Sequence, residues 1–237
     1  MVMKKVFWII LCMFFIPLVT FAGNMKLHYD RPAEYFEEAL VIGNGTMGAT
    51  LYGGVKKDKI SFNDITLWTG EPESENSSPD AFNVIPEIRA LLDNEDYEGA
   101  DKAQYKVQGH YSENYQPLGT LTIEYLDDTA GISDYHRWLD IGNATARTQY
   151  LKDGKLFTSD YFASAPDSVI VIRLKSENKE GIHALLSFDS PLPHSSQVAD
   201  NEISVEGYAA YHSFPVYYKA EDKHRYDPER GIHFKTL

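Results

Sequence analysis

The chain has almost no cysteine. Its single thiol, Cys12, lies near the start of the 237-residue sequence, inside a stretch with the features of a secretory leader. Once such a leader is removed, no thiol remains. This excludes disulfides, thiolate catalysis and cysteine-ligated metal sites from the exported chain.

Long hydrophobic runs are also missing outside the leader, which spans residues 1–22. Lys4 and Lys5 form its basic start, an apolar run follows at residues 6–21, and Ala22 supplies the small residue of a cleavage site. No later stretch approaches the ~20 apolar residues that a membrane-spanning helix needs. We therefore predict a signal peptide, an exported chain in the periplasm or the medium, and no membrane span.

Positive charge is scarce. The chain has 22 Lys and Arg against 35 Asp and Glu, a formal net charge of −13, and the leader would take Lys4 and Lys5 with it. A chain this acidic is repelled by nucleic acid and by anionic membrane surfaces, so neither is predicted as a partner. With 43% hydrophobic residues it can bury the core of one ordinary domain, predicted at residues 23–237.

The sequence lacks the signatures of several enzyme classes. It contains no G-x-S-x-G elbow, P-loop, H-E-x-x-H motif or EF-hand loop, and none of its eight histidines are spaced four residues apart. Glu71, Glu73 and Glu75 lie on a polar loop that is predicted to be solvated, and no spacing selects two acids as a glycosidase pair. We predict no metal and no cofactor.

One glycine motif does occur, because Gly43, Gly45 and Gly48 spell G-x-G-x-x-G. That motif binds a dinucleotide only where it leaves a strand and opens a helix. Here it is followed by β-branched and aromatic residues and by Gly53-Gly54, which disfavour a helix. The motif is interpreted as a turn.

Most of the remaining sequence alternates apolar and polar residues with the two-residue period of a half-buried strand. The alternation appears at residues 60–67, 121–125 and 144–150, and Asp153-Gly154 then signals a two-residue hairpin turn. Further strands are predicted at residues 157–161, 168–175, 181–188, 202–208 and 231–237. The mostly apolar run at 168–175 indicates burial on both faces. The fold predicted is a mostly β, antiparallel sandwich.

A short helical insertion is predicted at about residues 84–107. Its first part carries an apolar stripe formed by Ile85, Ile88, Leu91 and Leu92. Asn94 is predicted to be the N-cap of a second short helix.

Three segments place hydrogen-bonding side chains beside aromatic rings, which is how proteins hold the hydroxyls and the apolar face of a sugar. They are residues 62–72, with Asn63, Asp64 and Trp68; residues 109–119, with His110, Tyr115 and Gln116; and residues 207–218, with Tyr208, Tyr211, His212, Tyr217 and Tyr218. Sheet packing with a polar rim explains the same residues, because tyrosine suits both roles.

Several strings carry a family resemblance. They are EALVIGNGTMGATLYGGVKKDKISFNDITLWTGEP, IPEIRALL, YQPLG, FASAPDSVIVIRL and GIHFKTL, in this order along residues 27–237. Together they resemble the N-terminal β-domain of glycoside hydrolase family 95, which comprises α-L-fucosidases and α-L-galactosidases. The resemblance implies a β-super-sandwich and a substrate that is a fucosylated or α-L-galactosylated glycan.

The resemblance also implies where the chemistry lies. Members of that family carry their catalytic residues in a following (α/α)6 barrel, where a glutamic acid protonates the leaving oxygen and water attacks with inversion. No catalytic residue is therefore predicted in this chain, which is expected to be inactive alone and to pack against a barrel encoded downstream. Candidates for the rim of the sugar pocket are Asn63, Asp64, Trp68, Tyr115 and Gln116.

Two other functions remain open from the sequence. One is a stand-alone carbohydrate-binding module without hydrolysis, and the other is the β-domain of a related glucoside phosphorylase.

Overall fold

The computed structural model of the protein describes residues 25–72, 80–109 and 111–236. The predicted signal peptide, Glu73, Glu75 and His110 lie outside the described residues. The described part contains two helices, one 3₁₀ turn and fifteen strands. The helices are α1 (Ala81–Asp93) and α2 (Tyr97–Gln104), and the 3₁₀ turn is Phe36–Glu38. The strands are β1 (Lys26–Tyr29), β2 (Leu40–Gly43), β3 (Met47–Leu51), β4 (Lys57–Asp64), β5 (Gly119–Tyr125), β6 (Ile132–Asp140), β7 (Thr145–Lys152), β8 (Lys155–Ser164), β9 (Val169–Ser176), β10 (Ala184–Asp189), β11 (His194–Ala199), β12 (Glu202–Tyr208), β13 (His212–Ser213), β14 (His224–Arg225) and β15 (His233–Thr236).

The strands form two five-stranded sheets and two smaller ones. Sheet A has the order β1-β6-β7-β8-β9 and sheet B the order β10-β5-β4-β3-β2. Sheet C contains β11, β12 and β15, and β13 pairs only with β14. All pairs are antiparallel, which confirms the predicted fold class.

The main core lies between sheets A and B. Leu51, Ile60 and Ile123 of sheet B are 2%, 0% and 1% exposed, and they belong to the same cluster as Tyr150 and Tyr161 of sheet A. Alternate residues of each strand therefore face one shared interior, as the two-residue period predicts.

The G-x-G-x-x-G motif forms the hairpin between β2 and β3. Gly43 pairs with Gly48 across it, and Gly45 occupies the turn with φ +98°. The Asn44 side chain accepts hydrogen bonds from the amides of Thr46 and Met47, at 3.0 and 2.9 Å, and so closes the turn. This confirms the interpretation as a turn, and Gly45 supplies a backbone conformation that other residues rarely adopt.

The Asp153-Gly154 turn is also confirmed. Lys152 pairs with Lys155 across it, and Asp153 and Gly154 both have positive φ, 50° and 74°. These signs are those of a type I′ turn, whose twist matches that of the flanking strands β7 and β8.

The prediction of burial on both faces at residues 168–175 is wrong. Strand β9 lies at one end of sheet A with β8 as its only partner among the described strands, and none of its residues is fully buried. Ile170, Ile172 and Leu174 pack on the core, whereas Val169 is 43% exposed. Sheet A packs on sheet B through one face, as its central strand β7 also shows, so only one face of β9 reaches the core and its apolar content overstates its burial.

The helical insertion is present, with different boundaries. Helix α1 begins at Ala81 rather than Val84, and it contains Pro86. Asn94 ends α1, since its side chain and its backbone amide both donate to the carbonyl of Ala90, and Asp96 is the N-cap of α2, accepting from Gly99 at 2.9 Å. The N-cap prediction for Asn94 is therefore wrong. Asparagine occurs both at helix N-caps and at helix C-termini. The positive φ of Glu95 shows that the chain leaves helix α1 at this point, so Asn94 ends that helix.

The apolar stripe of α1 stays open to solvent. Helix α1 has no buried residue, and Ile85 and Leu92 are 38% and 47% exposed. The helix packs mainly on α2. Neither helix of the described part has the length and apolar content that crossing a bilayer would require.

Candidate functional site

The first two aromatic segments meet directly after β4. Trp68 and Tyr115 form an isolated antiparallel bridge, and their ring centroids are 5.6 Å apart at an angle of 57°. The backbone amide of Gln116 donates to the carbonyl of Leu67 at 2.9 Å. Trp68 and Tyr115 remain 42% and 46% exposed, so the pair presents ring surface to solvent.

The other predicted rim residues lie in the two segments that carry this pair. Asp64 ends β4 and accepts from the Thr66 amide at 2.8 Å, which turns the chain toward Trp68. Asn63 accepts from the Asp64 amide at 3.0 Å. Gln116 is only 8% exposed, so its side chain does not face solvent in this chain. A sugar-facing role for these three residues stays a prediction.

Residues 65–68 leave the strand pattern predicted for them. The carbonyl of Asp64 accepts from the Leu67 amide at 3.1 Å, and the Trp68 indole donates to the carbonyl of Ile65 at 2.9 Å. Leu67 instead enters a second, smaller core with Leu192 and Ala209, which joins this turn to the region of sheet C.

The carboxylate of Glu113 connects all three aromatic segments. It accepts from the hydroxyl of Thr69, from the backbone amide of Ser213 at 3.0 Å, and from Nδ1 of His212 at 2.7 Å. The Thr69 hydroxyl in turn accepts from the Asn114 amide at 2.9 Å. Thr69 and Ser213 are 3% and 0% exposed, so their polar groups depend on this carboxylate for hydrogen bonding.

The chain of polar contacts continues from Glu113 to Tyr111. A carboxylate only accepts, so Nδ1 of His212 carries a proton that it donates to Glu113. The Tyr111 hydroxyl lies 3.1 Å from Nε2 of the same ring, within hydrogen-bonding distance. Burial and the negative charge of Glu113 raise the pKa of Tyr111, which keeps its proton in place.

The third segment extends this site through the β13–β14 hairpin. The His212 ring lies edge-on to Phe214 at 4.5 Å, and the Arg225 guanidinium lies 5.1 Å from the Phe214 ring centroid. The Ser213 hydroxyl is 2.8 Å from Nδ1 of His224. The hairpin is thus anchored at its base by polar contacts and aromatic packing.

Glu71 is paired, in contrast to its predicted place on a solvated loop. It accepts from the guanidinium of Arg230, which also lies over the ring of Tyr211 at 3.7 Å from its centroid. The hydrogen bond with Arg230 lowers the pKa of Glu71. Both side chains stay about two-fifths exposed, so the contact adds little stability and mainly orients the loop that follows Trp68.

The Glu113 carboxylate acts as a hydrogen-bond acceptor in this arrangement. Three donors engage it, from Thr69, His212 and Ser213. Within the residues that the structure describes, no three His, Cys, Asp or Glu side chains are grouped in a way that would hold a metal ion.

The sequence prediction missed Glu113, Thr69, Tyr111 and Ser213. Each is a common polar residue in a segment without periodicity, and the contacts that distinguish them join positions about 44 to 101 residues apart. The clustering of aromatic residues pointed to the correct segments but gave no indication of this polar centre.

Replacing Glu113 with glutamine is expected to lower the free energy of unfolding by ~2 kcal/mol. A single amide oxygen cannot accept from all three donors, and the hydrogen bonds lost include those to a charged acceptor. Chemical denaturation would measure the change. Glu98→Gln, at a side chain that is 81% exposed, is the matched control and should change stability by less than ~0.5 kcal/mol. Equal losses in both variants would contradict a central role for Glu113.

Comparisons with known proteins agree with this architecture. A family model described as "Glycosyl hydrolase family 65, N-terminal domain" matches residues 27–237. The protein "Alpha-L-fucosidase 2" of Arabidopsis thaliana is 30% identical over 220 residues, which cover 90% of this chain and 26% of that protein. "Probable alpha-fucosidase A" of Aspergillus niger is 30% identical over 169 residues, covering 67% and 21%, and its Aspergillus oryzae counterpart is 27% identical over 145 residues, covering 59% and 20%.

The chain therefore spans about a quarter or less of the curated relatives that it matches. These relatives confirm the resemblance to α-L-fucosidases, and the family model covers almost all of the described structure. On this evidence, the chain belongs to the family of glycosyl hydrolase family 65 N-terminal domains.

Proposed function

We propose that this chain is the N-terminal β-domain of an exported α-L-fucosidase-type glycoside hydrolase that acts on fucosylated glycans with inversion. The observation that carries the proposal is the similarity to an α-L-fucosidase over 90% of the chain. Residues 23–237 act in it as one domain, and a helical barrel elsewhere in a longer polypeptide supplies the acid and the activated water. The relatives' much greater length supports this division of labour.

Within the proposal, the Trp68–Tyr115 pair lies at the rim of the sugar pocket. Two exposed rings offer a surface for the apolar face of a sugar, and the Glu113 contacts hold the segments that carry them. The ordered turn limits the motion that would have to be lost on binding, which favours affinity.

Hydrolysis of an aryl α-L-fucoside tests the proposal. The 237-residue chain alone should release no more phenol than buffer, and the polypeptide translated from the extended reading frame should turn over. Proton NMR should show β-L-fucose as the first product of the extended protein. Turnover only in the presence of phosphate would instead identify a phosphorylase, and binding without turnover by the extended protein would identify a carbohydrate-binding module. Turnover by the 237-residue chain alone would place the chemistry here and overturn the proposal.

Trp68→Ala should impair the extended enzyme without unfolding it. Loss of one stacking contact worth ~1 kcal/mol should raise KM about fivefold. The side chain is 42% exposed, so Tm should fall by less than ~4 °C. Trp138→Phe, on β6 in sheet A, is the control and should leave KM unchanged. A drop in Tm with unchanged kinetics would show that Trp68 only packs.

A further inference from the structure

The tip of the β13–β14 hairpin exposes three large residues in a row. Val216, Tyr217 and Tyr218 are 90%, 81% and 48% exposed, and residues 216–221 and Lys223 line a shallow, open concave surface. Full burial of such a side chain contributes ~1.5–3 kcal/mol to stability, and these three side chains obtain only part of it because they remain exposed. A run of exposed apolar side chains beside a concavity is typical of a contact surface.

Hydrogen bonds give this tip a defined shape. The amide of Tyr211 donates to the carbonyl of Arg225 and that of Phe214 to the carbonyl of Lys223, both at 2.9 Å. The amide of Tyr218 donates to the carbonyl of Pro215, also at 2.9 Å, so the aromatic stretch turns back on itself. The rings are therefore held in place before any ligand arrives.

Three rings, those of Tyr111, Phe214 and Tyr218, form one aromatic group, and Tyr218 also lines the concave surface. Phe214 and Tyr218 stack at 4.9 Å with an angle of 14°, and Tyr111 lies 6.1 and 6.0 Å from them, tilted by 52° from each. The Tyr111 hydroxyl is within hydrogen-bonding distance of His212, and a hydroxyl oxygen has two lone pairs, so it can still accept from a ligand hydroxyl. Ring faces beside a hydroxyl acceptor match the apolar face and hydroxyl edge of a sugar.

We propose that Tyr111, Phe214 and Tyr218 form a second carbohydrate contact, which takes a neutral sugar unit and is distinct from the Trp68–Tyr115 pair. The inference rests on the proposed function for its ligand class. Glu113 connects the two contacts. It accepts from Thr69, which follows Trp68 in the sequence, and from His212, which contacts Tyr111 in space. A glycan of at least two sugar units could engage both. A neutral ligand fits because Lys219, Glu221 and Lys223 mix charges around the concavity and the chain as a whole is acidic.

Saturation-transfer NMR on the 237-residue chain tests this contact, with the neutral fucosylated trisaccharide 2′-fucosyllactose as the probe. The trisaccharide should receive saturation, and Tyr218→Ala should weaken its binding at least fivefold. Tyr111→Phe, which removes only the hydroxyl, should weaken it about threefold. Tyr35→Ala is the matched control, because Tyr35 is a 65% exposed tyrosine next to the 3₁₀ turn, and it should change nothing.

Three outcomes would overturn the inference: no saturation of 2′-fucosyllactose, equal weakening by Tyr35→Ala, or weakening by Trp68→Ala with none by Tyr218→Ala. The last result would leave the rim role of Trp68 intact. Hydrolysis of the aryl fucoside by the extended protein is a separate readout, so failure of this contact and failure of the proposed function are distinguishable.

Discussion

Replacing Asp58 with alanine is expected to lower the free energy of unfolding by ~4 kcal/mol. Asp58 is 1% exposed, and its carboxylate accepts from the Tyr161 hydroxyl at 2.7 Å and from the Gly54 amide at 2.9 Å. Alanine would leave these buried donors without a partner, at ~1–3 kcal/mol each, and would open a cavity between sheets A and B. Urea denaturation followed by circular dichroism would measure the loss.

Asp58→Asn separates the charge from the hydrogen bonds. Its amide oxygen can accept from Gly54 and its amide group can donate to the Tyr161 oxygen, so the loss at neutral pH should be much smaller than for alanine. Similar losses in the two variants would show that the charge, rather than the donors left behind, carries the effect.

The unaltered protein and the Asp58→Asn variant should differ in how their free energy of unfolding depends on pH. Burial raises the pKa of Asp58 in the folded state, so the folded chain binds this proton more tightly than the unfolded chain does. The contribution of Asp58 to stability is therefore greatest at low pH and declines as pH rises from the ordinary aspartate range through the raised pKa. Asp58→Asn has no proton to lose there, so its stability should fall less over that window. If the free energies of unfolding of the two proteins changed in parallel from pH 4 to 8, burial would not be raising the pKa of Asp58.

Arg137→Met should destabilise the protein by ~3–4 kcal/mol. Arg137 is 1% exposed, and its guanidinium donates to the carbonyls of Arg31 and Glu38, both at 2.8 Å, while lying 4.2 Å from the ring centroid of Tyr29. Methionine preserves much of the apolar stem but leaves two carbonyls without their donors, at ~1–3 kcal/mol each. Because these bonds fasten the segment between β1 and β2 to sheet A, the glutamate-specific protease Glu-C should also cleave after Glu34 faster.

Arg147→Met provides the control for Arg137. Arg147 lies on β7 in the same sheet, and its side chain is 39% exposed and pairs with Asp160 at the surface. Its loss should cost less than ~1 kcal/mol and leave Glu-C cleavage after Glu34 unchanged. If both variants were equally destabilised, the two carbonyl bonds would not be the reason for the effect of Arg137.

Much of the fold followed from local signals. The alternation at residues 121–125 and 144–150 depends only on which residues face the interior, and Asp153-Gly154 carries its turn conformation in its own residue types. The glycines at 43, 45 and 48 could be assigned to a turn because the residues after them disfavour a helix. Such features depend on residues within a few positions of each other, so a short stretch of sequence is enough to predict them.

The wrong assignments depended on neighbours that are distant in sequence. Whether β9 is buried on both faces depends on whether another layer covers each face of sheet A, and the residues of a single strand do not show this. Asn94 can begin or end a helix, and the backbone of Glu95 decides which. No local sequence pattern marks Glu113, because its role depends on hydrogen bonds from Thr69 and Ser213, which are distant in sequence.

The sequence by itself determined the strand-rich class, the main turns, the aromatic segments and the resemblance to α-L-fucosidases, because each depends on local composition or on the order of short strings along the chain. Only the tertiary structure decided that Trp68 pairs with Tyr115, that Glu113 joins the three segments, and that Asp58 and Arg137 are buried. The physical reason is that a hydrogen bond or a ring contact depends on distances of a few ångströms. Those distances are set by the packing of whole sheets and loops rather than by the residues adjacent in the chain.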